Sequence, residues 1–116
     1  MIENRWANSE KNAIQALTDY FAALNTGDNQ ALFNTMHVPH VRISGDGVAI
    51  YHTLSDLEAT YLQEFSERAG DAWHHSVLDS TEVIHSSEHK VHLFIQFTRR
   101  DHDNNPIATH LSLIHI

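Results

Sequence analysis

The apolar residues of this chain change their spacing once, and that change limits the possible folds more than any other feature. Up to about Gly70 they recur at three- and four-residue steps. Ile14, Leu17, Phe21 and Leu24 form one series, Leu32, Phe33 and Met36 a second, and Leu54, Leu57, Tyr61 and Phe65 a third. From Trp73 onward they alternate, as Leu93, Ile95 and Phe97 do. Steps of three and four line up side chains on one stripe of a helix, and steps of two line them up on one face of a strand. A chain with helical spacing early and strand spacing late is expected to be α+β, with helices covering one face of an antiparallel sheet.

Local signals place the elements. Asn8 or Ser9 is predicted to cap the first helix, and Tyr20 borders its stripe. Asn25-Thr26-Gly27 should stop it, with Gly27 in the left-handed position. Asp28 is placed to cap a short second helix, and Pro39 argues against helix beyond that point. Val41-Arg42-Ile43 and Val48-Ala49-Ile50-Tyr51 read as short strands around a Gly45-Asp46-Gly47 turn. Ser55-Asp56-Leu57-Glu58 has the capping-box pattern for a third helix ending near Ala69-Gly70. Long strands are expected from about Trp73 to His85, from about Lys90 to Arg100, and from near Ile107. Ser86-Ser87-Glu88 and Asp103-Asn104-Asn105-Pro106 supply their turns.

Composition excludes several classes. At 116 residues and 41% hydrophobic, residues 1–116 read as one domain with enough apolar matter for a core. The absence of Cys removes disulfides, thiolate zinc sites, iron–sulfur clusters and Cys nucleophiles. A net charge of −8 disfavours nucleic-acid partners. No apolar run approaches the roughly 20 residues of a membrane span. Met1-Ile2-Glu3-Asn4-Arg5 lacks a secretory pattern, so a cytoplasmic protein is expected. Full protonation of the 11 His would carry the net charge to +3, so charge should change steeply near about pH 6.

The segment Tyr20-Phe21-Ala22-Ala23-Leu24-Asn25-Thr26-Gly27-Asp28 resembles the opening signature of the NTF2-like superfamily, which includes ketosteroid isomerases and SnoaL-like cyclases. The element order resembles that fold over essentially the whole chain. The resemblance implies an NTF2-like cone, three N-terminal helices packed on a curved antiparallel sheet, with a cone-shaped pocket between them. It also implies a homodimer through the convex face, where His92, Phe94, Gln96 and Thr98 would lie. His74-His75-Ser76-Val77-Leu78-Asp79 resembles the SnoaL-like pattern Arg-His-x-x-x-Asn, which puts His75 and Asp79 on pocket-facing positions. Pro39-His40-Val41-Arg42 is similar to uncharacterised SnoaL-like proteins.

A ketosteroid-isomerase mechanism matches in one role of three. Its oxyanion Tyr falls on Tyr20. Its carboxylate base falls on Ser44, two residues before Asp46, and its second acid falls near Thr109 or His110. Two other readings remain open. One is a pocket without cofactor that binds a small apolar or amphipathic molecule. Arg42, His40, Trp73, Leu93, Ile95 and Phe97 would contact the ligand, although Trp73, Leu93, Ile95 and Phe97 equally suit ordinary core. The other is a cofactor-independent lyase, isomerase or cyclase using His75 with Tyr20 or Asp79 as catalytic residues. His75 and Asp79 stand roughly 13 Å apart along an extended strand, so they pair only if the strand bulges.

No metal site is expected. Neighbouring His74 and His75 point to opposite faces of a strand, and His85 and His89 flank a turn without a third ligand. His52, His85, His89 and His102 read as solvated. Leu111-Ser112-Leu113-Ile114-His115-Ile116 is also one translation of a sequencing-transposon end, CTGTCTCTTATACACATC. The resemblance implies another pairing strand here. These six residues are therefore expected to be adapter-encoded, and the native C-terminal strand to be absent.

Overall fold

A computed structural model describes residues 5–44 and 47–116. Helix α1 spans Ala7–Thr26 and α2 spans Asn29–Asn34. Strands β1, His40–Ser44, and β2, Gly47–Tyr51, pair as an antiparallel hairpin. Helix α3 spans Leu54–Ala69. Strands β3 (His75–Ser86), β4 (Val91–Arg100) and β5 (Pro106–His115) form a second antiparallel sheet with β4 in the centre. The α+β class is as the sequence implies, with one correction. The helices are not all N-terminal, because the β-rich segment of residues 40–51 pairs with itself and separates α3 from α1 and α2.

The ends of α1 and α2 follow their chemistry. Gly27 sits at φ 75°, a conformation that costs a residue without Cβ little. The Asp28 carboxylate accepts from the Ala31 N–H at 3.1 Å and so satisfies one free donor of α2. Two caps differ from expectation. Helix α1 starts after Trp6 rather than at Asn8 or Ser9. The Ser9 hydroxyl instead donates to the Glu88 carbonyl at 3.2 Å, a contact between residues distant in sequence. Thr53, not Ser55, caps α3, accepting from the Asp56 N–H at 3.1 Å. The Gly45-Asp46 part of the expected hairpin turn lies outside the described residues.

Two buried clusters meet along α1. One joins the inner face of the long sheet (Val91, Leu93, Ile95) to Ala13, Leu17 and Phe21. The other joins Ala23 and Leu24 to Leu32 and Phe33, Tyr51, and Leu57, Tyr61, Phe65 and Ala69. Tyr20 touches both. Asn25 ties the end of α1 to the start of β3. Its amide nitrogen donates to the Ser76 carbonyl and its oxygen accepts from the Ser76 N–H, each at 2.8 Å. Ser76 is buried, so this paired contact satisfies backbone groups that water does not reach. Register shifts in β3 between Leu78 and Ser80 and between Val83 and His85 mark bulges, which bend and twist a sheet.

Candidate functional site

Every second residue of β4 faces α1 and α3: Val91, Leu93, Ile95, Phe97 and Arg99. The first three are buried beneath α1, Leu93 at 0% exposure. Leu93 and Ile95 thus leave no open surface to line a pocket and are core. Phe97 lies at the edge of the α1 cover, its ring 5.6 Å from that of Phe21, Arg99 lies past it, and both are half-buried. A site grows outward from these two residues.

Arg99 reaches toward the last turn of α3, where its Nη1 donates to the Arg68 carbonyl oxygen at 3.4 Å. The carbonyl end of a helix favours a cation there. Its guanidinium carbon stands 5.5 Å from the Phe65 ring centre and 5.8 Å from that of Phe97. The Arg68 guanidinium lies 5.8 Å from the Tyr61 ring and 5.9 Å from the Phe65 ring. Two cations therefore rest on a shared aromatic floor. Trp73 extends that floor. Its ring meets Phe65 edge-on at 5.1 Å, and its Nε1–H donates to the Ser76 hydroxyl at 2.9 Å. His110 on β5 stacks near Phe97 at 5.2 Å, with Nε2 3.5 Å from Arg99 Nη1.

Tyrosines close the side next to α1. The Tyr20 and Tyr61 hydroxyls share a short hydrogen bond, and the Tyr51 hydroxyl donates to the Glu64 carboxylate. His40 stands 5.9 Å from both the Tyr51 and Tyr61 rings. Arg42 lies near enough to act electrostatically on Tyr61 and Arg99.

Burial sets the protonation of the site. It pushes the Tyr20 phenol well above its ordinary range, aided by Tyr61, and raises that of Tyr61 too. Burial lowers His40, and burial followed by the Arg99 charge lowers His110. Arg99 itself is lowered by burial, then by Arg68 and Arg42. At neutral pH the site thus holds neutral hydroxyls, neutral imidazoles and guanidinium cations. Such a set donates hydrogen bonds and attracts negative charge.

The expected site residues divide between the two sides of the sheet. Tyr20, His40, Arg42, Trp73 and Phe97 gather around the inner cluster. His75 pairs with Arg100 and shares the outer face with Thr98. Its Nε2 is 3.1 Å from Asn104 Oδ1 in the β4–β5 turn. Asp79 sits at the first β3 bulge and accepts from the Thr98 hydroxyl at 2.6 Å and from Gln96 at 3.4 Å. His75 and Asp79 are on the side opposite Tyr20, and their hydrogen-bond partners differ. The side chain of Ser44 and all of Asp46 lie outside the described residues.

One histidine arrangement departs from expectation. His74 precedes β3 rather than lying within it, so strand alternation does not separate it from His75, and their Nδ1 atoms are 2.9 Å apart. His85 meets His92, and His92 meets His115, with ring centres 5.6 Å and 4.3 Å apart in a row across the outer face. Among the described residues no group of three or more His, Asp or Glu is arranged to hold a metal ion.

Sequence reasoning missed Tyr61, Phe65, Arg68, Arg99 and His110. A signal existed for Arg99, which shares the alternation of Ile95 and Phe97. Arg68 lies three residues after Phe65 and so shares its helix face. No protein-family model matches the chain, and no curated protein or solved structure matches it significantly. Among the described residues, no helix is long and apolar enough to cross a membrane.

Proposed function

We propose that this chain is an NTF2-like, SnoaL-like domain that binds a small, largely apolar molecule carrying one polar or acidic group. The ligand would lie on the inner side of the sheet, beyond the end of the α1 cover. One observation carries the reading: Phe97 and Trp73 remain half-exposed on the face where Leu93 and Ile95 are sealed, beside a cluster of guanidinium and phenol donors. Concave apolar surface with a few convergent polar groups is the usual form of a small-molecule site. In the same reading the outer face pairs two copies. Phe94 is exposed there beside His92 and Gln96. The reading includes no catalytic step, since His75 lies across the sheet from Tyr20 and bonds Asn104, while Asp79 bonds Thr98 and Gln96.

The test uses Trp73 as reporter in a Trp6→Phe variant, which leaves it the sole Trp. Small apolar compounds that raise the melting temperature are expected to change Trp73 emission and to lose their effect in Phe97→Ala. A set of stabilising compounds that leaves Trp73 emission unchanged overturns the location. Sedimentation at tens of micromolar tests the pairing, and a monomer at that concentration overturns it.

A further inference from the structure

We propose that Arg68 and Arg99 together form a receptor for the carboxylate of a planar, largely apolar monoacid. This rests on the small-molecule reading above and assigns its acidic group. The first observation is a mismatch in donors. The Nε atoms of both arginines are shielded from water and have no hydrogen-bond partner. Arg68 serves as acceptor through its backbone only, and Arg99 uses one terminal nitrogen for the contacts to Arg68 and His110. A buried donor left without a partner is costly, so native proteins leave few of them.

The second observation is an absence of counter-charge. Among the described residues no carboxylate lies within 4.0 Å of either guanidinium. Glu64, one turn before Arg68 on α3, binds the Tyr51 hydroxyl instead. Two like charges thus share the Phe65 ring, with Arg42 adding to their field. A carboxylate offers two oxygens in the plane that a guanidinium edge matches, and it would pair the Arg68 terminal nitrogens and Arg99 Nη2, which are not hydrogen-bonded among the described residues.

The third observation fixes the ligand's body. Phe97 and Trp73 keep exposed surface beside the cations, over a buried floor of Phe65 and Tyr61, so the group behind the carboxylate meets aromatic rings. The chain's net charge of −8 opposes multiply charged anions, which favours a monoacid over a phosphate dianion.

Calorimetric titration of the full chain with 2-naphthoate, 2-naphthamide and inorganic phosphate tests this. The acid is expected to bind at least about 10-fold more tightly than the amide. Arg68→Met and Arg99→Met should each remove most of that advantage while leaving amide binding within about twofold. Arg99→Lys, which keeps the charge but loses the fork, should fall between the unaltered chain and Arg99→Met. Circular dichroism identifies any variant that fails to fold, and the remaining variants then decide. Equal binding of acid and amide to the unaltered chain overturns the carboxylate assignment and leaves the small-molecule reading intact. Binding of neither overturns both. An acid advantage that persists in every folded Arg variant, or displacement of naphthoate by phosphate at equal concentration, overturns the proposed receptor.

Discussion

Strand β4 runs through two regions that share one alternation and differ in almost everything else. In its first half Val91, Leu93 and Ile95 meet Ala13, Leu17 and Phe21 of α1, and all six are buried. In its second half Phe97 and Arg99 point the same way; Phe97 meets only the Phe21 edge of α1, and Arg99 meets the end of α3 at Phe65 and Arg68. The strand's period decides which face looks inward. The residues opposite decide whether that face is closed by packing or left open and charged.

The filled half should fail hardest. Leu93→Ala removes a side chain with no exposed surface and leaves a hole that α1 closes only in part, at an expected cost of about 2–5 kcal/mol. Urea unfolding with an unchanged slope and a lower midpoint measures it. A loss below about 1 kcal/mol would erase the contrast between the halves. Tyr20→Phe acts where the regions meet. It leaves the buried Tyr61 hydroxyl without its partner, at about 1–2 kcal/mol. The open half should behave in the opposite sense. Arg68→Met replaces an orphaned cation with an apolar chain of similar reach, so stability without ligand should hold or rise. A clear destabilisation would mean the guanidinium is structural.

Acidity sharpens the contrast without any substitution. His40 and His110 at the open half have lowered proton affinity, chiefly through burial. On the outer face His92 is lowered by burial, then by His115, Lys90 and His85. The unfolded chain binds protons more readily at these positions. Their contribution is therefore complete above the ordinary histidine value of about 6.5 and is lost as pH falls below it. On the alkaline side burial, then Glu64, pushes the Tyr51 phenol to about 12. Stability should decline as pH rises from about 10, where the unfolded phenol ionises, toward that value. Melting temperatures across pH check both limbs, and Tyr51→Phe should flatten only the alkaline one.

Much of the fold was legible because local chemistry determined it. The Leu17–Phe21–Leu24 stripe, Gly27 and the Asp28 cap act within a few residues of themselves. Where the sequence offered two equal signals, distant contacts decided. Ser9 had the right chemistry to cap α1, yet its hydroxyl went to Glu88. Thr53 and Ser55 both precede an acid by one helical turn, and the backbone took Thr53. The site was legible only in part. Tyr20, His40, Arg42, Trp73 and Phe97, named from the sequence as candidates, stand together on the inner side, whereas Arg99 opens the charged run Arg99-Arg100-Asp101-His102-Asp103, which carries no sign that its first residue faces inward. The side occupied by His75 depended on its register against Arg100, and register between strands is not written in the period of either one.

The smallest expected effect is the one that tests the partition of the sheet most directly. His75 is half-buried at the strand end, hydrogen-bonded to His74 and near Asn104, with Thr98 and Arg100 on its side of the sheet. His75→Ala removes contacts that neighbouring polar groups can replace with water. Stability should change by no more than about 0.5 kcal/mol. Naphthoate affinity should stay within about twofold, because the Arg68–Arg99 cluster lies on the other face. Calorimetry of the variant beside Arg99→Met supplies the comparison. A loss of affinity in His75→Ala as large as in Arg99→Met would mean that ligand reaches both sides of the sheet's end, and the separation of inner from outer face would no longer hold there.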